Sequence, residues 1–79
     1  MARFFFDITQ DGEVFSDTEG TELLDVETAR AEAVATLCQL AKDASPHESG
    51  MQLIANVRSE AGQMLLAVLL SVAVELKLS

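Results

Sequence analysis

Basic residues are scarce. Five Lys and Arg stand against 13 Asp and Glu in 79 residues, for a net charge of −8. Phosphate-backbone binding rests on clustered Lys and Arg, so a nucleic-acid surface is excluded from expectation. Anionic membrane surfaces are disfavoured for the same reason. Tyr and Trp are absent, and there is one each of Cys, Pro and His. A lone Cys38 rules out an intramolecular disulfide framework and any Cys-based zinc site. It falls mid-helix, away from the helix N-terminus that would favour a thiolate. His47 stands beside Pro46 with no partner in a catalytic motif. No Gly-rich phosphate loop and no nucleophile elbow is present. The reading is therefore non-enzymatic, with no cofactor and no metal. No apolar run approaches the roughly 20 residues of a membrane-spanning helix. The opening Met-Ala-Arg-Phe-Phe-Phe-Asp lacks the h-region of about 7–15 residues that a signal peptide needs. A cytoplasmic protein is the expectation.

Hydrophobic residues make up 49% of the chain, enough for one folded domain over residues 1–79. A chain this short buries only about 60% of its unfolded surface or slightly more, and oligomerisation is a common remedy.

The most apolar stretch, Met64 to Lys77, reads as one long strand. Val68, Val72 and Val74 are β-branched, which favours strand over helix. With period two, Leu66, Val68, Leu70, Val72, Val74 and Leu76 share one face. Leu65, Ala67, Leu69, Ser71 and Ala73 share the other. Apolar on both faces, such a strand is expected at a sheet's centre or covered twice.

Earlier in the chain, Arg3 to Ile8 predicts a strand with Phe4, Phe6 and Ile8 on one side. Asp11-Gly12 predicts a hairpin turn into a short strand over Glu13 to Ser16. Asp17 to Glu22 reads as a polar loop. Asp25 is the expected N-cap of a helix running from about Val26 to Ala44, with Glu27 suited to the positive end of its dipole. Leu24 and Ala29 fit a hydrophobic staple. Val26, Ala29, Ala33, Leu37, Leu40 and Ala44 form the core stripe, widened by Val34 and Ala41. Ala31, Ala35 and Cys38 make a small-residue stripe behind it. Ser45-Pro46 ends the helix. Met51 to Ser59 alternates as a third strand, interrupted by Ile54 on its polar side, and Glu60 to Gln63 turns into the long fourth.

The fold class is thus α+β, in the order β-β-α-β-β: a four-stranded, mostly antiparallel sheet with one helix packed on one face. The first strand could lie beside either the third or the fourth. A helix of about 19 residues spans nearly 30 Å and covers one sheet face, not two. The uncovered face would carry Phe5, Ile54, Leu65, Leu69 and Ala73, with Phe15 a further candidate. A contiguous apolar patch of that kind marks an interface, so a homodimer or another protein partner is expected.

Acidic residues crowd the first third, from Asp7 to Glu27. Oxygen ligands in such a cluster suit a hard cation, giving an alternative reading as an acidic ligand- or metal-binding regulator. Asp7 to Gly12 echoes the start of an EF-hand loop, but Thr9 and Thr18 stand at positions three and twelve, where that loop needs Asp or Asn and a bidentate Glu. Hairpin and cap acids explain the cluster as well.

Two stretches, Arg3-Phe4-Phe5-Phe6-Asp7 and Asp17 to Ala33 (Asp-x-Glu-Gly-x-Glu-Leu-x-Asp-x-Glu-x-Ala-Arg-x-Glu-Ala), resemble a family of small alphaproteobacterial proteins classed as a domain of unknown function. Val57-Arg58-Ser59-Glu60-Ala61-Gly62 resembles that family's second hairpin turn. Leu24 departs from it, since proline is frequent there. The resemblance spans essentially the whole chain and implies the β-β-α-β-β order, but no activity. A weaker resemblance, to HicB-like antitoxins, lies in the opening strand, the Asp-Gly hairpin and the acidic Glu/Ala-rich start of the helix. It implies a small basic protein as partner.

Overall fold

The computed structural model describes residues 1–44, 50–75 and 77. Pro46, His47 and Leu76 lie outside these residues, as does the predicted helix stop at Ser45-Pro46.

Among the described residues, five strands and one helix form in the order β1 (Ala2–Gln10), β2 (Glu13–Phe15), β3 (Thr21–Leu23), α1 (Val26–Asp43), β4 (Met51–Ser59) and β5 (Met64–Val72). All the pairings are antiparallel. The sheet order is β2-β1-β4-β5, with β3 also on β1. β1 therefore lies beside β4 (the third of the four strands expected), and not beside β5, which decides the arrangement that periodicity left open.

The fifth strand corrects the expected count of four. Thr21 to Leu23 reads as loop in isolation, yet it pairs with Ala2 to Phe4. β2 pairs further along β1, with Ile8 to Gln10. The two short strands thus lie end to end on one side of β1, while β4 occupies the other.

Asp11 and Gly12 both have positive φ, 48° and 89°, and link Gln10 directly to its partner Glu13. This is the two-residue primed turn that Asp-Gly favours. Asp25 caps α1 as predicted, its carboxylate accepting from the Thr28 N–H at 2.8 Å and from the Thr28 hydroxyl at 2.7 Å. The staple does not form in support of it: Ala29 is fully buried, but Leu24 is 71% exposed.

α1 lies over β4 and β5 and reaches β3. Ala29, Ala33 and Leu37 are its buried face. With alanine at two of these three positions, the helix backbone sits close on the sheet. Below it lie Met51, Leu53, Ala55 and Val57 of β4, all buried, together with Phe4. Leu66, Val68, Leu70 and Val72 of β5 pack against this core, as do Phe6, Ile8, Leu40 and Ala41. Val26 and Val34, assigned to the core stripe by periodicity, remain 44% and 40% exposed.

The long apolar strand corrects two further expectations. It is an edge strand, not a central one. It also ends at Val72, matching the nine residues of β4 instead of extending beyond them. Gly50 closes the far end of this pair. Its φ is +90°, and a Cβ there would overlap the Val72 carbonyl oxygen, so only glycine permits the approach.

Leu53 is fully buried at the centre of the helix-side layer. Leu53→Ala is expected to cost about 2–5 kcal/mol through lost burial and a residual cavity. The shift in urea midpoint at unchanged slope measures it.

Candidate functional site

The sheet face away from α1 has two parts. On the β1 side, Arg3, Phe5 and Asp7 alternate outward, and Arg58 and Asn56 stand opposite Phe5 and Asp7 on β4. On the β5 side, Thr9, Ile54 and Leu69 are successive register partners across three strands. Leu69 is 63% exposed.

The β1 side is a polar latch. Arg58 donates from Nε to Asp7 Oδ2 at 2.7 Å and from Nη2 to the Asp17 carbonyl at 2.7 Å. A longer contact of 3.4 Å runs from Nη2 to Asp7 Oδ1. The guanidinium carbon lies 4.6 Å from the Phe5 ring centroid, a cation–π distance. Asp7 Oδ1 also accepts the Asp17 N–H at 2.9 Å. Asp17 in turn fills the gap between β2 and β3. Its Oδ2 accepts the Phe6 N–H at 3.0 Å, where a neighbouring strand would otherwise supply a carbonyl. Its Oδ1 accepts the N–H groups of Glu19 and Gly20. Arg3 secures the same loop, donating to the Glu19 carbonyl at 2.9 Å and to Glu22 at 3.2 Å. Gly20 completes it at φ +73°, where a Cβ would come within 2.9 Å of both Arg3 Cγ and Phe5 Cε2.

These contacts shift the charged groups. The Arg58 hydrogen bond holds the Asp7 carboxyl below the usual carboxylate range, against an opposing effect of burial. Burial pushes the Asp17 carboxyl up, but the N–H groups of Gly20, Phe6 and Glu19, with Arg58 nearby, outweigh it and leave that carboxyl low. The Asp7 hydrogen bond raises Arg58.

The acidic cluster is thus largely employed in structure. Asp7 and Asp17 build the latch, Asp25 caps α1, and Asp11 accepts the Gln52 N–H at 2.9 Å. Glu22 pairs with Arg3 and Glu27 with Arg30. Among the described residues, no three His, Cys, Asp or Glu side chains converge into a group that could hold a metal ion. Among them also, no helix is long and apolar enough to cross a membrane.

The predicted interface residues separate. Ile54 and Leu69 come together as register partners. Phe5 lies on the same face but under Arg58. Leu65 is the extra residue of a bulge, since Val57 faces Leu66 and Arg58 faces Met64, and it packs toward the core. Ala73 follows the end of β5 and is exposed. Phe15 is on the opposite, helix-side face. It pairs with Ile8 and lines a shallow concavity of about 240 Å³ with Ile8, Gln10 and Leu40. Residue-type reading missed the Asp17–Arg58 latch. Its one local signal is an Asp with Gly three residues on, the pattern of an Asx-type turn.

The fold and this face define a small α+β protein with one helix-covered sheet face, one latched sheet edge and, at β5, an edge that no strand among the described residues covers. The chain belongs to the family described as Domain of unknown function (DUF6894), which it matches over residues 3–71. No curated protein and no solved structure matches it.

Carboxylates held low confer stability above the ordinary carboxylate pKa of about 4, and that stability is lost as pH falls through their folded values. Thermal melts are expected to weaken below about pH 4 in the native chain, and less steeply in Asp17→Asn, where Asp7 still contributes. An amide oxygen at position 17 serves either Phe6 or the Glu19 and Gly20 pair, not both, so Asp17→Asn is also expected to lose about 1–3 kcal/mol at neutral pH.

Proposed function

We propose that the protein is a non-enzymatic interaction module that self-associates through its sheet. The observation that carries this reading is the contrast between the two sheet edges. At the β1 edge, two short strands and the Asp17 carboxylate cover the outer backbone. At the other edge, β5 presents nine apolar or small residues, and no strand among the described residues pairs with its outer side. Long apolar edge strands are templates for pairing with another chain, and natural proteins blunt them with charge, proline or bulges. β5 has neither charge nor proline, and its one bulge lies at the Leu65 end. Leu69 and Ile54 add a small apolar strip on the adjoining open face.

The chain's acidity is compatible with self-contact here, because no charged residue lies between Glu60 and Glu75. Repulsion between copies is therefore kept off the strand itself.

Light scattering across a concentration series tests the proposal. The expected mass is twice the 8.5 kDa of one chain. Leu69→Glu is expected to return it to one chain mass with the circular dichroism spectrum unchanged. A native chain that stays monomeric into the high micromolar range would overturn the reading.

A further inference from the structure

We infer that two copies join edge to edge, β5 against β5 in antiparallel two-fold pairing centred on Leu69. This rests on the self-association proposed above and specifies its geometry.

The direction of the backbone groups comes first. Ser59 donates its N–H to the Gln63 carbonyl at 2.8 Å, so the odd-numbered residues of β4 address β5. Gln52 confirms the alternation, exchanging bonds with Asp11 on the opposite side. In an antiparallel ladder, residues that face each other across a hydrogen-bonded pair both point inward. The β5 partners of Val57, Ala55, Leu53 and Met51 are Leu66, Val68, Leu70 and Val72, which therefore point their backbone at β4. Ala67, Leu69 and Ser71 point theirs outward, to the bare side.

The register follows from the side chains. With Leu69 opposite Leu69 of the second copy, Ala67 meets Ser71 and Val68 meets Leu70. All three outward-pointing residues then exchange hydrogen bonds. On the open face, the row Thr9, Ile54, Leu69 continues without a step into Leu69, Ile54 and Thr9 of the second copy. Small Ala67 and Ser71 flank the paired leucines and leave them room. Met64–Val72 contains no charged residue, so no like charges are set against each other along the paired strands.

The helix supplies an independent observation. Leu40 lines the concavity above Ile8 and Phe15, which turns one flank of α1 toward β1 and β2. At 100° per residue, Glu32, Thr36, Gln39 and Asp43 lie on that flank; Val34, Ala41 and Cys38 lie on the other, toward the β5 edge, together with the Glu27–Arg30 ion pair of the first turns. The flank over the latched edge is polar; the flank toward the β5 edge is apolar or small from Val34 onward, its charges confined to the Glu27–Arg30 pair near the helix start. In the joined sheet the two helices sit on the same face with these flanks turned toward each other. That accounts for the exposure of Val34 in a single copy.

Two variants and one measurement separate this geometry from others. Ala67→Pro removes an outward N–H and leaves the β4 ladder intact, a position where an edge strand tolerates proline. It is expected to raise the dimer dissociation constant at least about 100-fold, since the ring also obstructs the incoming strand. Ile54→Thr polarises the open face and is expected to leave the dimer within about threefold of native, because its side chain is a strand removed from the seam. In native protein, amide exchange at Ala67, Leu69 and Ser71 is expected to slow about tenfold or more between dilute and concentrated samples. A dimer lost in Ile54→Thr, kept in Ala67→Pro and without that alternating protection would overturn edge pairing while leaving self-association standing. A native monomer would overturn both.

Discussion

A sheet has two edges, and an unpaired strand backbone must find hydrogen bonds somewhere. In this protein the β1 edge is satisfied by an improvised neighbour: two three-residue strands with a carboxylate between them. Neither strand is long enough to hold its place alone. Asp17 joins them by accepting the Phe6 N–H and closing the turn that delivers β3. Arg58 then ties that loop to β4 across the face of the sheet. The start of α1 depends on this arrangement, because β3 ends two residues before the Asp25 cap.

The same constraint bears on the opposite edge, where no such device is found among the described residues. β5 is as long as β4 and is held on one side only. Its helix-side residues are drawn into the core, while Leu69 and its neighbours are not. The covering helix has a partial asymmetry: polar toward the latched edge, and apolar or small from Val34 onward toward β5, past the Glu27–Arg30 pair. Two elements distant in sequence thus carry a related bias, and the proposed seam between copies would cover both.

Much of this architecture was legible in advance. The primed turn at Asp11-Gly12, the Asp25 cap, the helix span and the alternation in β1, β4 and β5 all arise from contacts within a few residues, where local rules are strong. The stretches that carry the family resemblance also contain Arg3, Phe5, Asp7, Asp17, Gly20 and Arg58, although nothing in their spacing announced a latch. What was misread depended on pairing. Thr21 to Leu23 is a strand only because β1 offers it an edge. Phe15 faces the helix because its register partner is Ile8. The apolar run was expected at the centre of the sheet, yet β4, with its simpler alternation, lies there because β1 takes its second side.

The sequence by itself determined the helix with its Asp25 cap, the three long strands in outline, the Asp11-Gly12 turn and the acidic charge. Those follow from backbone preference, side-chain period and composition, which act over short range. Only the tertiary structure decided the strand order, the fifth strand, the ion pair between residues 51 apart in the chain and which edge was left bare. These depend on which segments meet. Such meetings are selected by burial and hydrogen-bond satisfaction over the whole sheet, not by any residue's neighbours in sequence.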